Sequence, residues 1–230
     1  MLLRIFTAYP EYFEQSLSIS LLGKTRERGV WSLEIVNLRD YGIGRHKKID
    51  DTSFGGGSGL ILRPDVLSNA LEDRIKNLEN IRLSRAKNEA LFITSPIGDM
   101  LNQAMSVEMS RLETMNIICN RFEGVDQRVI DHYSIKPISI GRYVLLGGEV
   151  AACVIAESIL RLLPDFLKNP ETITTESFGE NLNGMGEYPQ FTRPQIWNEI
   201  GVPEPLTNGN HREINEWRMA NCIILDDGNC

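Results

Sequence analysis

The chain of 230 residues contains no run of 18 apolar residues, which excludes an evident membrane span, and its N-terminus meets Arg4 and Thr7 too early for the apolar stretch of a signal peptide. A cytoplasmic location with no membrane partner is the expectation. Cysteine is scarce. Cys119, Cys153, Cys222 and Cys230 stand apart with no CxxC pair, against both a disulfide framework and a structural zinc site, and Cys222 and Cys230 read as exposed thiols. There is no GxxxxGK[ST] and no HExxH, and the three histidines, at 46, 132 and 211, are far apart, so phosphate-loop and zinc-hydrolase chemistry have no foothold. Internal repeats and low-complexity tracts are also missing.

What is present is an ordinary core-forming composition, 42% hydrophobic, with a net charge of −7 that is unevenly spread. Residues 1–48 carry 8 basic and 5 acidic groups, residues 49–170 carry 13 and 16, and residues 171–230 carry 3 and 10. The positive end concentrates in Arg39, Arg45, His46, Lys47 and Lys48, just before Asp50-Asp51. That cluster reads either as a solvated loop or as a patch that touches phosphates on a globally acidic protein.

Short β-rich runs at Leu2–Thr7, Trp31–Leu38, Ala90–Ser95, Met115–Cys119 and Tyr133–Ile140 alternate with helical patterns at Pro10 to about Ser20, Pro64 to about Lys76, Asn102 to about Glu113 and Val125–Asp131. Such alternation predicts an α/β fold with a largely parallel sheet. The stretch 164–189 holds three prolines, three glycines and no sustained period, and reads as a linker. Beyond it, Arg193-Pro194 is expected to open a short helix and Asn210 to cap a longer one through about Ile224, fraying near Asp226-Asp227-Gly228. So small a C-terminal module needs a surface to dock on, and a second subunit's is one candidate.

The stretch most suggestive of chemistry is Ser139-Ile140-Gly141-Arg142-Tyr143-Val144-Leu145-Leu146-Gly147-Gly148-Glu149, between an expected strand and a helix running to about Leu163. Its glycines allow close backbone approach, so it offers peptide N–H and C=O groups to a small molecule. The bland alternative is a tight turn that lets helix pack on sheet. The helix after it is apolar nearly all round and is expected to be largely buried, with a narrow stripe of Glu157, Ser158 and Arg161. Glu157 and Arg161 are spaced for an intrahelical ion pair; alternatively Arg161 donates to an anionic oxygen in the cleft. A second cluster, Phe54-Gly55-Gly56-Gly57-Ser58-Gly59, precedes Leu60-Ile61-Leu62 and not a helix, a poor dinucleotide fingerprint and a better flexible wall over a ligand.

Taken in order, the motifs Asp50-Asp51 with Phe54-Gly55-Gly56-Gly57-x-Gly59, Ser95-Pro96, Arg121-Phe122-Glu123-Gly124-Val125-Asp126-x-Arg128, Ser139-Ile140-Gly141-x-Tyr143-Val144-Leu145-x-Gly147-Gly148-Glu149, Thr192-Arg193-Pro194 and Gly209-Asn210-His211-x-Glu213-Ile214-x-x-Trp217-Arg218 resemble the bacterial tRNA (guanine-N(1))-methyltransferases of the SPOUT class over the whole chain. The resemblance implies a SPOUT-type parallel-sheet domain with a C-terminal trefoil knot over residues 1–163, a linker over 164–186 and a small α-helical tRNA-binding domain over 187–230, assembled as a homodimer. It implies S-adenosylmethionine as methyl donor, lined by Ser95, Pro96, Asn120, Glu123, Ile140, Gly141, Tyr143, Leu145, Gly147 and Gly148. It places tRNA against Arg45, His46, Asp50, Gly59 and Gly209, and catalysis on Arg161 and Glu176. Magnesium is a family requirement for which no carboxylate cluster here identifies a site. Glu176 stands where the family has aspartate, Asn120 where it usually has glycine, and Ala151 where it often has proline. A non-catalytic RNA- or nucleotide-binding protein of the same fold and a Rossmann-type oxidoreductase are the competing expectations.

Overall fold

The structure, a computed structural model, describes residues 1–224. Asp226, Asp227, Gly228 and Cys230, on which expectations about fraying and an exposed thiol fall, lie outside the described residues. The chain divides into two compact units, Met1–Leu167 and the remainder from Lys168.

The first unit runs β1 (Leu2–Thr7), α1 (Glu11–Ser16), α2 (Ser20–Glu27), β2 (Ser32–Asn37), β3 (Asp50–Thr52), β4 (Leu60–Leu62), α3 (Pro64–Arg74), α4 (Leu78–Arg82), β5 (Glu89–Met100), α5 (Gln103–Met109), β6 (Thr114–Ile118), α6 (Gln127–Tyr133), β7 (Lys136–Ser139) and α7 (Glu149–Leu160). Five strands pair in the order β2-β1-β6-β5-β7, all parallel, as the alternation of strand and helix predicts. Successive side chains on a strand face opposite sides, and these strands are covered on both. Phe6, Leu91, Ile93 and Ile118 join one apolar core beneath α3, α4 and α6, while Leu3, Ile5, Met115 and Ile117 join another beneath α1, α2, α5 and α7. Pro64 opens α3 at a first-turn position, where its missing N–H costs nothing. The side chain of Asn102 accepts from the Met105 N–H at the start of α5, and that of Asp126 from the Arg128 N–H at the start of α6.

Two departures from expectation shape the site. β5 is 12 residues long because it meets β7 twice: Thr94 and Asp99 both stand opposite Ile138, so Ser95–Gly98 arches out of the ladder between them. Tyr133, read as the start of a strand, instead ends α6, and Ser134 closes that helix in the left-handed region. In α7, Ala152, Ile155, Ala156, Ile159 and Leu160 are fully buried, in line with the largely buried helix its composition predicts, while Val150 and Val154 are about half exposed, so the uncovered face is wider than the stripe of Glu157, Ser158 and Arg161.

The second unit contains α8 (Glu171–Thr175), a hairpin of β8 (Ile196–Trp197) and β9 (Ile200–Gly201), and α9 (His211–Ala220). The segment read as a linker therefore carries α8 and a 3-10 turn at Glu180–Leu182. No helix starts at Arg193-Pro194. Asn198 and Glu199, both with positive φ, form the two-residue turn that folds β8 onto β9. Asn210 does cap α9, which stops at Ala220.

Candidate active site

A cavity of about 260 Å³ opens at the arch of β5 and the C-terminal ends of β6 and β7, the edge at which open α/β sheets hold ligands. Three segments far apart in sequence wall it: Thr94–Pro96, Asn120–Glu123 and Ile138–Ala151. All ten residues expected around a methyl donor, Ser95, Pro96, Asn120, Glu123, Ile140, Gly141, Tyr143, Leu145, Gly147 and Gly148, line this one space. Thr94, Phe122 and Ser139 are among the lining residues outside that set; Thr94, where β5 leaves its ladder, and Ser139, at the end of β7, are buried hydroxyls, and adjacency to Ser95 and Ile140 is the signal that could have found them.

Backbone contacts fix the walls. Thr94 Oγ1 accepts from the Asn120 N–H at 3.0 Å, and the Gly148 N–H donates to the Asn120 carbonyl at 2.7 Å, so the three segments are laced together at one point. Gly148 is required there: a Cβ would stand 2.7 Å from the Asn120 amide nitrogen and closer still to Thr94 Oγ1. The Ser139 Oγ lies 3.3 Å from the Pro96 carbonyl and accepts from the Gly141 N–H at 3.2 Å, holding the arch of β5 against the loop after β7. Asn120 Oδ1 is buried and, among the described residues, lacks a hydrogen-bond partner, in a wall otherwise satisfied. A backbone-rich cradle with an unsatisfied amide oxygen fits a small molecule carrying its own donors.

The glycine loop reaches the rim. It joins β3 to β4 in an antiparallel hairpin, confirming that it is no dinucleotide fingerprint, and Gly59, at φ +94°, packs so closely that a Cβ would meet Glu123 Oε1 at 2.6 Å. Asp50 is the first residue of β3, opposite Leu62. Arg45 and His46 are exposed in a small loop closed by the Ile43–Lys48 bridge, and two of the neighbouring cations are paired, Lys47 with Asp40 at 3.3 Å and Lys48 with Asp51 at 3.0 Å.

Arg161 follows the last turn of α7 in the first unit. Glu176 follows α8 in the second unit, where its N–H donates to the Thr172 carbonyl at 3.1 Å, and Gly209, at φ +76°, precedes the cap of α9. Among the described residues no group of three or more His, Cys, Asp or Glu side chains converges as a metal site. Cys119 is buried beneath the sheet edge, which pushes its thiol well above its ordinary pKa, and Cys222, expected to be exposed, is half-buried and donates to the Arg218 carbonyl. No helix among the described residues is long and apolar enough to cross a membrane.

The profile of the family described as tRNA (Guanine-1)-methyltransferase TrmD matches residues 1–224. Proteins named tRNA (guanine-N(1)-)-methyltransferase are 44% identical in Wolbachia pipientis subsp. Culex pipiens, over 96% of this chain and 91% of that one; 42% identical in Pelagibacter ubique, over 94% and 90%; and 41% identical in Rickettsia akari, over 96% and 92%. A match that spans both units, at that identity and with the cavity residues in place, shows that the chain belongs to the tRNA (guanine-1)-methyltransferase family.

Proposed function

We infer that the protein methylates N1 of guanine in tRNA, at the guanine 3′ of the anticodon, with S-adenosylmethionine as the donor. Family membership over residues 1–224 carries the methyltransferase activity, and the single cavity walled by ten donor-site candidates supports the choice of donor. Bound there, S-adenosylmethionine supplies an electrophilic methyl group on a sulfonium.

The chain's own residues have a defined task. Neutral guanine carries a proton on N1, so its lone pair is free to attack only as that proton leaves. Glu176 takes the proton, and Arg161 holds the negative charge that moves to O6. The backbone cradle around Asn120 and Gly148 orients the reactants and keeps water from the methyl group. Arg45, His46, Asp50, Gly59 and Gly209 face the tRNA in this reading. The loop around β5, β6 and β7 forms the trefoil knot of the SPOUT class, and the second unit, with its hairpin as well as α9, serves as the tRNA-binding domain. No step is assigned to magnesium.

Methyl transfer from labelled S-adenosylmethionine to tRNA transcripts with G or A beside the anticodon tests the function. Label on the G transcript alone, with a KM for tRNA and not for donor that rises on replacing Arg45, is the expected result; no transfer to either transcript rejects the enzyme reading and leaves the binding protein.

A homodimer completes the proposal. Val150 and Val154 of α7, together with Ile97 at 91% exposure on the arch of β5, are apolar side chains that the chain itself does not cover. Equilibrium sedimentation is expected to give twice the chain mass at micromolar concentration, and a monomer there contradicts the assembly.

A further inference from the structure

Glu149 is the one carboxylate of the first unit that sits almost wholly inside it, 1% exposed at the first turn of α7, and the proposed reaction makes no use of it. Burying an ionised group is costly unless it is paired and hydrogen-bonded, so its partners say what it is for. Arg121 Nε lies 3.1 Å from Oε1 and 3.0 Å from Oε2, and the Thr7 hydroxyl at the end of β1 donates to Oε1 at 3.0 Å. The start of a helix also favours negative charge.

Arg121 has more to do than neutralise that acid. Its Nη1 donates at 3.1 Å to the carbonyl of Leu146, a residue 93% exposed on the rim of the cavity. Its guanidinium lies over the Tyr9 ring at 4.2 Å from the centroid, and Gly147 lets it pass so close that a Cβ there would meet its Cδ at 2.6 Å. The loop from Val144 to Gly147 projects apolar side chains into solvent, with Val144 85% exposed, so the core does little to hold it. The guanidinium is the piece that joins this exposed rim to a buried anion and, through Thr7, to the central sheet.

We propose that Glu149 and Arg121 are positioning residues that hold the 144–148 rim in its donor-binding shape, setting affinity for S-adenosylmethionine without touching the reacting atoms. The proposal rests on the reading of the cavity as the donor site. A loop in the binding shape only a fraction of the time weakens apparent affinity by that fraction. Turnover at saturating donor is spared, because bound donor selects the held loop.

The test is calorimetry with S-adenosylhomocysteine and steady-state methyl transfer on the full chain carrying Arg121→Met, Arg121→Lys or Glu149→Gln, with urea unfolding of each. Arg121→Met is expected to weaken S-adenosylhomocysteine binding and to raise the donor KM by about tenfold or more, with kcat at saturating donor within about twofold. Arg121→Lys keeps the charge but not the fork that spans carboxylate and carbonyl, so it recovers stability while affinity stays low. Glu149→Gln, the mildest change in shape, follows the same split. A fall in kcat with unchanged donor KM, or a loss of stability with unchanged affinity, overturns the positioning role. Wild-type protein that does not bind S-adenosylhomocysteine at all sinks the donor-site reading instead, a distinct outcome.

Discussion

Glu176→Ala is expected to lower the rate of methyl transfer by about 10²–10⁴-fold and Arg161→Ala by about 10²–10³-fold, while binding of S-adenosylhomocysteine stays within a few-fold of wild type. The two magnitudes have different sources. Without a base, guanine N1 keeps its proton and has no lone pair to offer, so the loss reflects the whole benefit of general-base catalysis. Without the guanidinium, the charge gathering on O6 is left to solvent, and the loss is that of one fixed electrostatic donor. Because both act on one displacement, the double variant should cost little more than the worse single one. Glu176→Asp restores the residue usual in the family, keeps the carboxylate and should retain most activity. Single-turnover methyl transfer at saturating donor and tRNA reads all four variants. Wild-type rates in Glu176→Ala and Arg161→Ala would falsify the assignment of both residues.

A comparable loss should follow from one added methyl group. Gly148→Ala places a Cβ 2.7 Å from the Asn120 amide nitrogen and in collision with Thr94 Oγ1, at the point where the three cavity walls meet. Thr94 is buried and its hydroxyl is engaged by the Asn120 N–H, so neither neighbour is a flexible chain end that can move aside. Overpacking of this kind costs about 1–3 kcal/mol of stability, and a wall displaced by about 1 Å costs on the order of 10²-fold in a reaction that depends on alignment. Methyl transfer should therefore fall by about 100-fold, with donor binding weakened and the urea midpoint lowered. Adding Thr94→Ala removes the nearer obstacle, so the pair should bind better than Gly148→Ala alone, although Thr94→Ala by itself loses a buried hydrogen bond worth about 0.5–1.5 kcal/mol. If Gly148→Ala binds S-adenosylhomocysteine like wild type, the close approach is not what shapes the cavity.

The sheet was legible because strand burial is a local signal. Leu2–Thr7 and Met115–Cys119 are apolar on both faces, as strands covered by helices must be, and they fall within a residue of β1 and β6. That the glycine-rich stretch after β7 walls a hollow was legible for a similar reason, since bare backbone is visible in composition. What composition hides is anything decided by partners distant in sequence. The second meeting of β5 with β7 depends on Ile138 serving both Thr94 and Asp99, and no period in Ser95–Gly98 announces it. The hairpin at Ile196–Gly201 turns on Asn198 and Glu199 taking positive φ, which asparagine favours and glutamate does not, so Arg193-Pro194 looked instead like a helix start. Cys222 reads as an exposed thiol, yet it turns back to the helix carbonyl of Arg218. The role tied to Glu176 came from family likeness alone, because a glutamate beyond a short helix looks ordinary in isolation, whereas the spacing of Glu157 and Arg161 left an ion pair and a donor to the cleft as alternatives for Arg161.

Because Thr94–Pro96, Asn120–Glu123 and Ile138–Ala151 must all be in place before any of the hollow exists, the order of synthesis matters. A nascent chain that has cleared the ribosome only as far as β6 has most of its sheet but no enclosure for a nucleoside. The enclosure is complete only with the turn of Gly147 and Gly148, whose Gly148 N–H meets the Asn120 carbonyl. Proteolytic pieces ending before that turn lack one of the three walls, however well they fold.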